Sequence, residues 1–285
     1  MVNCIILSVA GLSCFLPIIH ILALSFSSGS AAAQGAVGLW PVNFTTAAYK
    51  FVLAKKEFLD SLKISVMRTL VGTVLSMIIT ILCAYPLSKR PSTFKARKVY
   101  IWVFVFAMLF NGGLIPTYLV VKSTGLIDNF FALIIPCAMN IFNIILMMNF
   151  FRGIPVSLEE AAYLDGAGHL SVLCKIFLPL STPSLATIGL FTVIGHWNSW
   201  FDGMIYNNNP VHYPFATYLQ SIVKASVNLS LNKGYDIETI KQLMQLSDQT
   251  LQAAQVFLGS LPILLVYPFI QKYFTTGLTL GGVKE

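Results

Sequence analysis

The sequence predicts an all-α membrane protein with six transmembrane helices and a cytoplasmic loop folded as helix–glycine–helix. Of the 285 residues, 56% are hydrophobic and only 10% are charged, and the mean hydropathy is +0.76. A soluble domain carries about 25% charged residues, so this composition excludes an ordinary water-soluble globule. Six apolar runs are long enough to cross a bilayer. One polar loop between the fourth and fifth runs has the pattern of a short helix.

Each predicted span is a run of about 20 mostly apolar residues, the length that a helix needs to cross the hydrocarbon core. None of the runs shows the alternating pattern of a transmembrane β-strand. Because no convincing internal repeat is present, residues 1–285 are predicted to form a single transmembrane domain. The predicted spans are 4–26, 64–86, 99–121, 129–151, 184–206 and 253–271.

The first span has a second interpretation as a cleaved signal peptide, because it is followed by the small residues of 30–33. Against this, no Lys or Arg precedes the apolar core, and that core is longer than the roughly 7–15 residues of a signal peptide. The sequence favours an uncleaved first helix, although it leaves the cleavage of residues 1–33 open.

Basic residues predict the orientation of the spans. The segment 88–98 carries five Lys and Arg residues and no acid, so it is expected in the cytoplasm. Six spans then place both termini and the loop 152–183 on the cytoplasmic side of the membrane, and the loops 27–63, 122–128 and 207–252 on the outer side. Within the last of these, 237–251 has apolar residues at roughly helical spacing and is interpreted as an interfacial helix.

Composition also limits the chemistry. The net charge is +7, but basic clusters interleaved with exposed aromatic residues are absent, so nucleic-acid binding is not expected. The five cysteines have no metal-binding spacing and are interpreted as small buried apolar residues. No metal site, catalytic group or cofactor is predicted for this chain.

Several spans contain helix breakers, among them Pro86, Pro116, Pro136 and the pair Gly112-Gly113. Membrane helices tolerate such residues when neighbouring groups satisfy the freed backbone. They are interpreted either as packing kinks or as breaks around a path for a solute.

The polar loop 152–183 has the most informative pattern. Ser157 followed by Glu160 forms a capping box, so a helix is expected to start near Leu158. Gly166 and Gly168 are expected to stop this helix, because glycine adopts the left-handed cap conformation without strain. A second short helix is expected to follow and to end at Pro179. For Glu160 alone, capping is the simpler interpretation.

These residues carry a resemblance to a known family. Glu160-Ala161-Ala162, then three residues, Gly166, then nine residues and Ile176-Phe177-Leu178-Pro179 resemble the EAA loop of ABC importer permeases at every signature position. The loop also lies between the fourth and fifth of six predicted spans, where the family places it.

The resemblance implies that the loop is a coupling helix seated in a cytoplasmic ATP-binding subunit. The implied contact residues are Glu159, Glu160, Ala161, Ala162, Asp165, Gly166 and Ala167, and in the tail Gly281, Gly282 and Lys284. ATP and Mg would be bound by that partner, since this chain has no Walker A pattern. The other implied partners are a second, larger permease, a second copy of the ATP-binding subunit, an extracytoplasmic solute-binding lipoprotein, and the lipid bilayer.

Further segments point to carbohydrate uptake. Asp165-Gly166-Ala167 and the tail 277–284 are similar to permeases related to the smaller permease of the maltose transporter. The segment 110–118 resembles the Gram-positive subgroup that imports oligosaccharides, often acidic ones such as aldouronates. The implied substrate is therefore a carbohydrate, with a non-sugar solute as the alternative.

Polar and aromatic residues inside predicted spans are candidates for a substrate path, because intramembrane polar groups usually face other helices or a water-filled cavity. The alternative is that they form interhelical hydrogen bonds to the partner permease. Asp202 lies near the outer end of a span, and Arg68 is expected to snorkel or to pair. The candidates are Asn111, Asn140, Asn143, His196, Trp197, Asn198 and Trp200.

Two other classes of function compete with the importer. A secondary transporter would usually show an internal repeat or coupling-ion carboxylates near the midplane, and Asp202 alone is thin support for one. An intramembrane enzyme would need acids and bases that converge at one depth. Glu160 and His169 lie in the predicted cytoplasmic loop, away from His196 and Asp202.

Overall fold

The computed structural model describes residues 2–110, 112–228, 247, 249–262 and 264–265, and within them every regular element is helical. The tail residues Gly281, Gly282 and Lys284, most of the predicted helix 237–251, and the end of the sixth predicted span lie outside these ranges. The helices are α1 (Val2–Ser25), α2 (Gly29–Ala33), α3 (Ala47–Ala54), α4 (Lys56–Ser88), α5 (Arg97–Leu109), α6 (Leu114–Ser123), α7 (Ile141–Arg152), α8 (Val156–Leu164), α9 (His169–Leu180), α10 (Thr182–Asn198), α11 (Phe201–Tyr206) and α12 (Phe215–Asn228). Residues 249–262 are also helical.

Two of the described helices are long and apolar enough to cross a membrane, Ile6–Ser25 within α1 and the whole of α4. Three further pairs of helical segments pass the same test only together, because each pair is sharply bent at a short break. The described residues thus hold up to five spans, and 249–262 begin the predicted sixth.

Three of the predicted spans are not continuous straight helices, because two are bent and one is interrupted. The predicted span 99–121 is divided into α5 and α6, which are bent by 115° at the glycine pair, where Gly113 has a φ of +88°. The predicted span 129–151 begins as two 3₁₀ turns within Phe130–Cys137 and bends by 50° before α7. The predicted span 184–206 is interrupted after α10 and resumes as α11.

Contacts divide the chain into two units. In the first unit, 2–64 with the described part of 210–264, the core consists of Ala48, Val52 and Phe58 packed on Phe215 and Ala254. The Phe58 and Phe215 rings meet edge to face with centroids 5.7 Å apart. Most side chains of α1 are exposed in this chain, as expected for a helix that faces lipid or another subunit.

In the second unit, residues 65–209, the core lies where the end of α4 meets α7 and α9. Tyr85, Phe151 and Phe177 are buried there with their rings edge to face. A π-helical turn, Leu173–Phe177, widens α9 at this position. The chain then turns by 84° at the junction between α9 and α10, so the polar loop and the membrane segment that follows it have different directions.

Candidate functional site

Helix α8 forms at the predicted place in the polar loop, but it starts differently from the prediction. It begins at Val156 with Pro155 as the N-cap, and no side chain caps it. Ser157 therefore lies within the first turn and the predicted capping box is wrong. The reason is local, because the fixed φ of proline already suits the start of a helix and moves that start towards Pro155.

The end of α8 is a Schellman motif, as predicted from Gly166. The amide of Gly166 donates to the carbonyl of Tyr163 at 3.0 Å, and the amide of Ala167 donates to the carbonyl of Ala162 at 2.9 Å. Gly166 has a φ of +78°, the left-handed conformation that this motif requires and that glycine adopts without strain. The predicted stop at Gly166 is therefore confirmed. For Gly168 the prediction is wrong, because its φ is −80° and it is the N-cap of α9.

Helix α8 has one covered face and one open face. Ala162, Tyr163 and the following Ala167 pack against the core of the second unit. On the opposite face Glu160 and Ala161 are exposed, and Leu164 is 89% exposed. Asp165 and Gly166 are exposed as well, whereas Glu159 is half-buried. The seven predicted contact residues of the loop therefore lie close together, but not all of them are on the open face. Glu159, Ala162 and Ala167 are partly buried, whereas the other four are exposed.

Glu159 has a partner within the chain that sequence reasoning missed. Its carboxylate accepts a hydrogen bond from Lys89 at 2.7 Å. The Lys89 ammonium also lies over the Tyr85 ring, 3.9 Å from its centroid, and over the Phe177 ring at 4.1 Å. Lys89 belongs to the basic segment 88–98, but it is only 7% exposed. Burial lowers the pKa of Lys89 below its usual 10.5, and the Glu159 carboxylate opposes that fall.

A cavity of about 340 Å³ in the second unit collects three of the predicted path residues, Asn140, Asn143 and His196. Trp197, Asn198 and Trp200 are not among its lining residues, and Asn111 lies outside the described part of the chain. The cavity also has polar walls that were not predicted as a site, and two phenylalanines. These additional lining residues are Arg68, Ser76, Cys137, Phe142, Phe191, Thr192, Gly195 and Ser199.

Arg68 and Asp202 form an ion pair next to this cavity. Arg68 is completely buried, and both its terminal nitrogens donate to the Asp202 carboxylate. One of them also donates to the Ser199 carbonyl at 2.9 Å, and the Ser199 hydroxyl donates to Asp202 at 2.9 Å. Of the two expectations for Arg68, snorkelling and pairing, the structure has pairing. The pair joins α4 to the break between α10 and α11.

His196 fixes the approach of α10 to α4. A Cβ atom on Gly72 would lie 2.7 Å from the His196 ring, so only glycine lets the two helices approach this closely. The Nε2 atom of His196 lies 3.3 Å from the Ser76 hydroxyl, and Cys137 Sγ lies 4.0 Å from its Nδ1. His196 therefore has a packing role at the cavity wall.

Relatives of the chain agree with the resemblance carried by the loop. No protein-family model matches the sequence. A polygalacturonan/rhamnogalacturonan transport system permease protein of Bacillus subtilis is 41% identical over 96% of this chain and 93% of its own length. The chain belongs to the ABC transporter permease family. Protein LplC of the same organism is 40% identical to this permease over 99% of the chain and 93% of its own length.

A solved structure gives the same result for the fold. The permease aligns with a chain of a bacterial ABC transporter involved in the import of the acidic polysaccharide alginate. The TM-score is 0.86 at 38% identity, and the alignment covers 96% of the permease and 95% of that chain. The protein is accordingly a membrane-embedded subunit of an importer of the sugar and polysaccharide class.

Proposed function

We propose that this permease supplies one half of the path through which an ATP-driven importer moves a carbohydrate across a bacterial cell membrane. The observation that carries the proposal is α8, a helix held on the core by one face and open on the other, in a chain closely similar to permeases of sugar importers. A helix with an exposed leucine and an exposed carboxylate in a polar loop is suited to contact another protein.

The open face of α8 is the proposed contact with the ATP-binding subunit. Leu164 would enter an apolar part of its cleft, while Glu160 would pair with a cation there. Two copies of that subunit would bind and hydrolyse ATP with Mg, and their closure would move α8. The second, larger permease would carry the other coupling helix, and a solute-binding lipoprotein would deliver the substrate from outside.

This arrangement requires six spans with α8 and both termini in the cytoplasm. The basic segment 88–98, which follows α4, is proposed to lie on the same side as α8. The groove of about 560 Å³ between this segment and α8 is lined by Lys89, Arg90, Arg97, Arg152, Glu159 and Glu160 among others. Basic residues at this end of the spans agree with a cytoplasmic position.

The cavity beside Arg68 is the proposed part of the substrate path. Asn140 and Asn143 offer amides, and Thr192 and Ser199 offer hydroxyls, all of which suit sugar hydroxyl groups. Phe142 and Phe191 are exposed at the wall and suit the apolar faces of sugar rings. The relatives for polygalacturonan and alginate support an oligosaccharide, and an acidic one, as the substrate.

The test is purification of the tagged permease in a mild detergent from its native membrane, with mass spectrometry of the proteins that accompany it. We expect an ATP-binding subunit, a second permease and a sugar-binding lipoprotein. Leu164→Asp should reduce the recovered ATP-binding subunit about tenfold, because a charge in an apolar contact costs more than about 1.4 kcal/mol. Leu39→Asp, a change of another exposed leucine in the predicted outer loop, is the matched control.

Two results would contradict this proposal. The first is recovery of the chain without any ATP-binding subunit under conditions that keep other importers intact. The second is sugar uptake driven by an ion gradient in liposomes that contain this chain alone, which would make it a secondary transporter.

A further inference from the structure

Lys89 contacts residues of three helices, α4, α8 and α9, in the second unit. It follows directly after α4, its ammonium bonds Glu159 on α8, and the ring of Phe177 on α9 lies against it. Tyr85, one turn earlier on α4, contacts the same ammonium with its ring, next to that of Phe177. A cation in contact with two adjacent aromatic rings and a carboxylate has little freedom to reorient, because each of these contacts is directional.

Contacts between aromatic rings link Lys89 to α7 as well. Tyr85 and Phe177 meet edge to face with centroids 5.1 Å apart, and Phe177 meets Phe151 on α7 at 5.4 Å. All three rings are buried, and close-packed interiors transmit displacement. A movement of Lys89 therefore reaches the ends of α4, α7 and α9 together.

The two glutamates of α8 lie on different faces of the helix. Glu160 is exposed on the open face, whereas the side chain of Glu159 is 15% exposed and bonded to Lys89. Apart from this ion pair, the small side chains of Ala162 on α8 and of Ala167 just after it contact the core, together with Tyr163, whose hydroxyl lies 2.6 Å from Nδ1 of the exposed His169 on α9. Alanine contacts are non-directional and allow sliding, so they define the position of α8 less strictly than the ion pair does.

We propose that Lys89 is the positioning residue that transmits movement of α8 to α4, by way of its ion pair with Glu159. The proposal rests on the proposed function, since it assumes that an ATP-binding subunit moves α8. A buried ammonium that loses its carboxylate is strongly unfavourable. When α8 moves, Lys89 and the end of α4 consequently follow Glu159 rather than separate from it.

The experiment uses the complete importer, reconstituted in liposomes with its binding protein and the sugar that it delivers. The quantity measured is the number of ATP molecules hydrolysed per sugar imported. We expect Lys89→Met to assemble and hydrolyse ATP while this ratio rises about fivefold or more, the range of typical coupling energies. Lys89→Arg keeps the charge and should restore most of the coupling. Lys95→Met, an exposed lysine in the same segment, is the control.

Substitutions of Glu159, the partner of Lys89, provide a second set of variants. Glu159→Gln keeps the shape of the side chain and should also raise the ratio, and it gives the decisive measurement if Lys89→Met does not assemble. The exchanged pair Lys89→Glu with Glu159→Lys restores opposite charges but places a carboxylate against the negative faces of the Tyr85 and Phe177 rings, so it should lower the ratio only in part. An unchanged ratio in Glu159→Gln and in any assembled Lys89→Met complex would overturn the inference. A wild-type complex without ATP-driven uptake would instead overturn the proposed function.

Discussion

At the scale of single residues, Gly166 is where backbone conformation matters most for α8. Its φ of +78° penalises any side chain, although a Cβ atom there would contact nothing within 4 Å. We expect Gly166→Ala to destabilise the turn by about 1–2 kcal/mol, the cost of the left-handed conformation. Binding of the ATP-binding subunit to the permease, measured as a dissociation constant in detergent, should weaken by about tenfold.

Gly168 provides the control for this prediction. It also has open space around its Cα, but its φ is −80°, so alanine is accommodated without strain and Gly168→Ala should bind normally. Equal effects of the two substitutions would show that side-chain volume, and not the left-handed turn, is what the partner detects.

Single residues also show where sequence reasoning succeeds and where it stops. Gly166 was predictable because its requirement is local, a stop after a helical pattern. Lys89 was not, since it belongs to a run of basic residues that indicates a solvated loop, and its partners Glu159 and Phe177 are distant in sequence. One local signal was available, because Tyr85 precedes Lys89 by four residues, the spacing of neighbours on a helix face.

At the scale of elements, the Arg68–Asp202 pair holds α4 against the break between α10 and α11. Arg68 is fully buried, whereas the Asp202 side chain is 18% exposed. Asp202→Asn leaves a buried guanidinium without its counter-charge and should destabilise the protein by about 3–5 kcal/mol. Arg68→Met leaves a carboxylate that water can reach in part, so it should cost less. The measurement is thermal unfolding of each variant in the same detergent.

The double variant separates the pair from the packing around it. Arg68→Met with Asp202→Asn removes both charges and should be more stable than Asp202→Asn alone, because no buried charge remains uncompensated. If the double variant shows the sum of the two single losses, the pair would have no specific role at this junction.

The helices themselves were predictable from length and hydropathy, but which of the helix breakers would interrupt a helix was not. Pro17 and Pro86 lie inside α1 and α4, which continue through them, whereas Gly112-Gly113 lies at a bend of 115°. Whether a helix continues through such a residue depends on whether neighbouring groups satisfy the freed backbone atoms. The sequence does not show which groups will be neighbours. Similarly, the cavity gathers Asn140, Asn143 and His196 but not Trp197 and Trp200. Trp197 follows His196 in α10 and is turned by about 100° from it around the helix, whereas Trp200 lies in the break after α10.

At the scale of the whole molecule, the predicted orientation can be tested with one native cysteine. Cys174 is exposed on α9, in the loop predicted to lie in the cytoplasm. In a variant that retains only this cysteine, a membrane-impermeant maleimide should label inside-out vesicles and not right-side-out vesicles. Membranes without the ATP-binding subunit should be used, so that the partner does not shield the thiol.

Labelling of a residue on the opposite side of the membrane provides the matched measurement. Gly38 is exposed in the loop that precedes α3, which the same orientation places outside the cell. With Gly38→Cys as the only cysteine, the reagent should label right-side-out vesicles and not inverted ones, because a charged maleimide does not cross the hydrocarbon core. The reverse pattern at both positions would invert the topology and place α8 outside the cell, where it cannot meet a cytoplasmic ATP-binding subunit. Labelling of both positions from one side would instead show an even number of crossings between Gly38 and Cys174, and so a different count of spans.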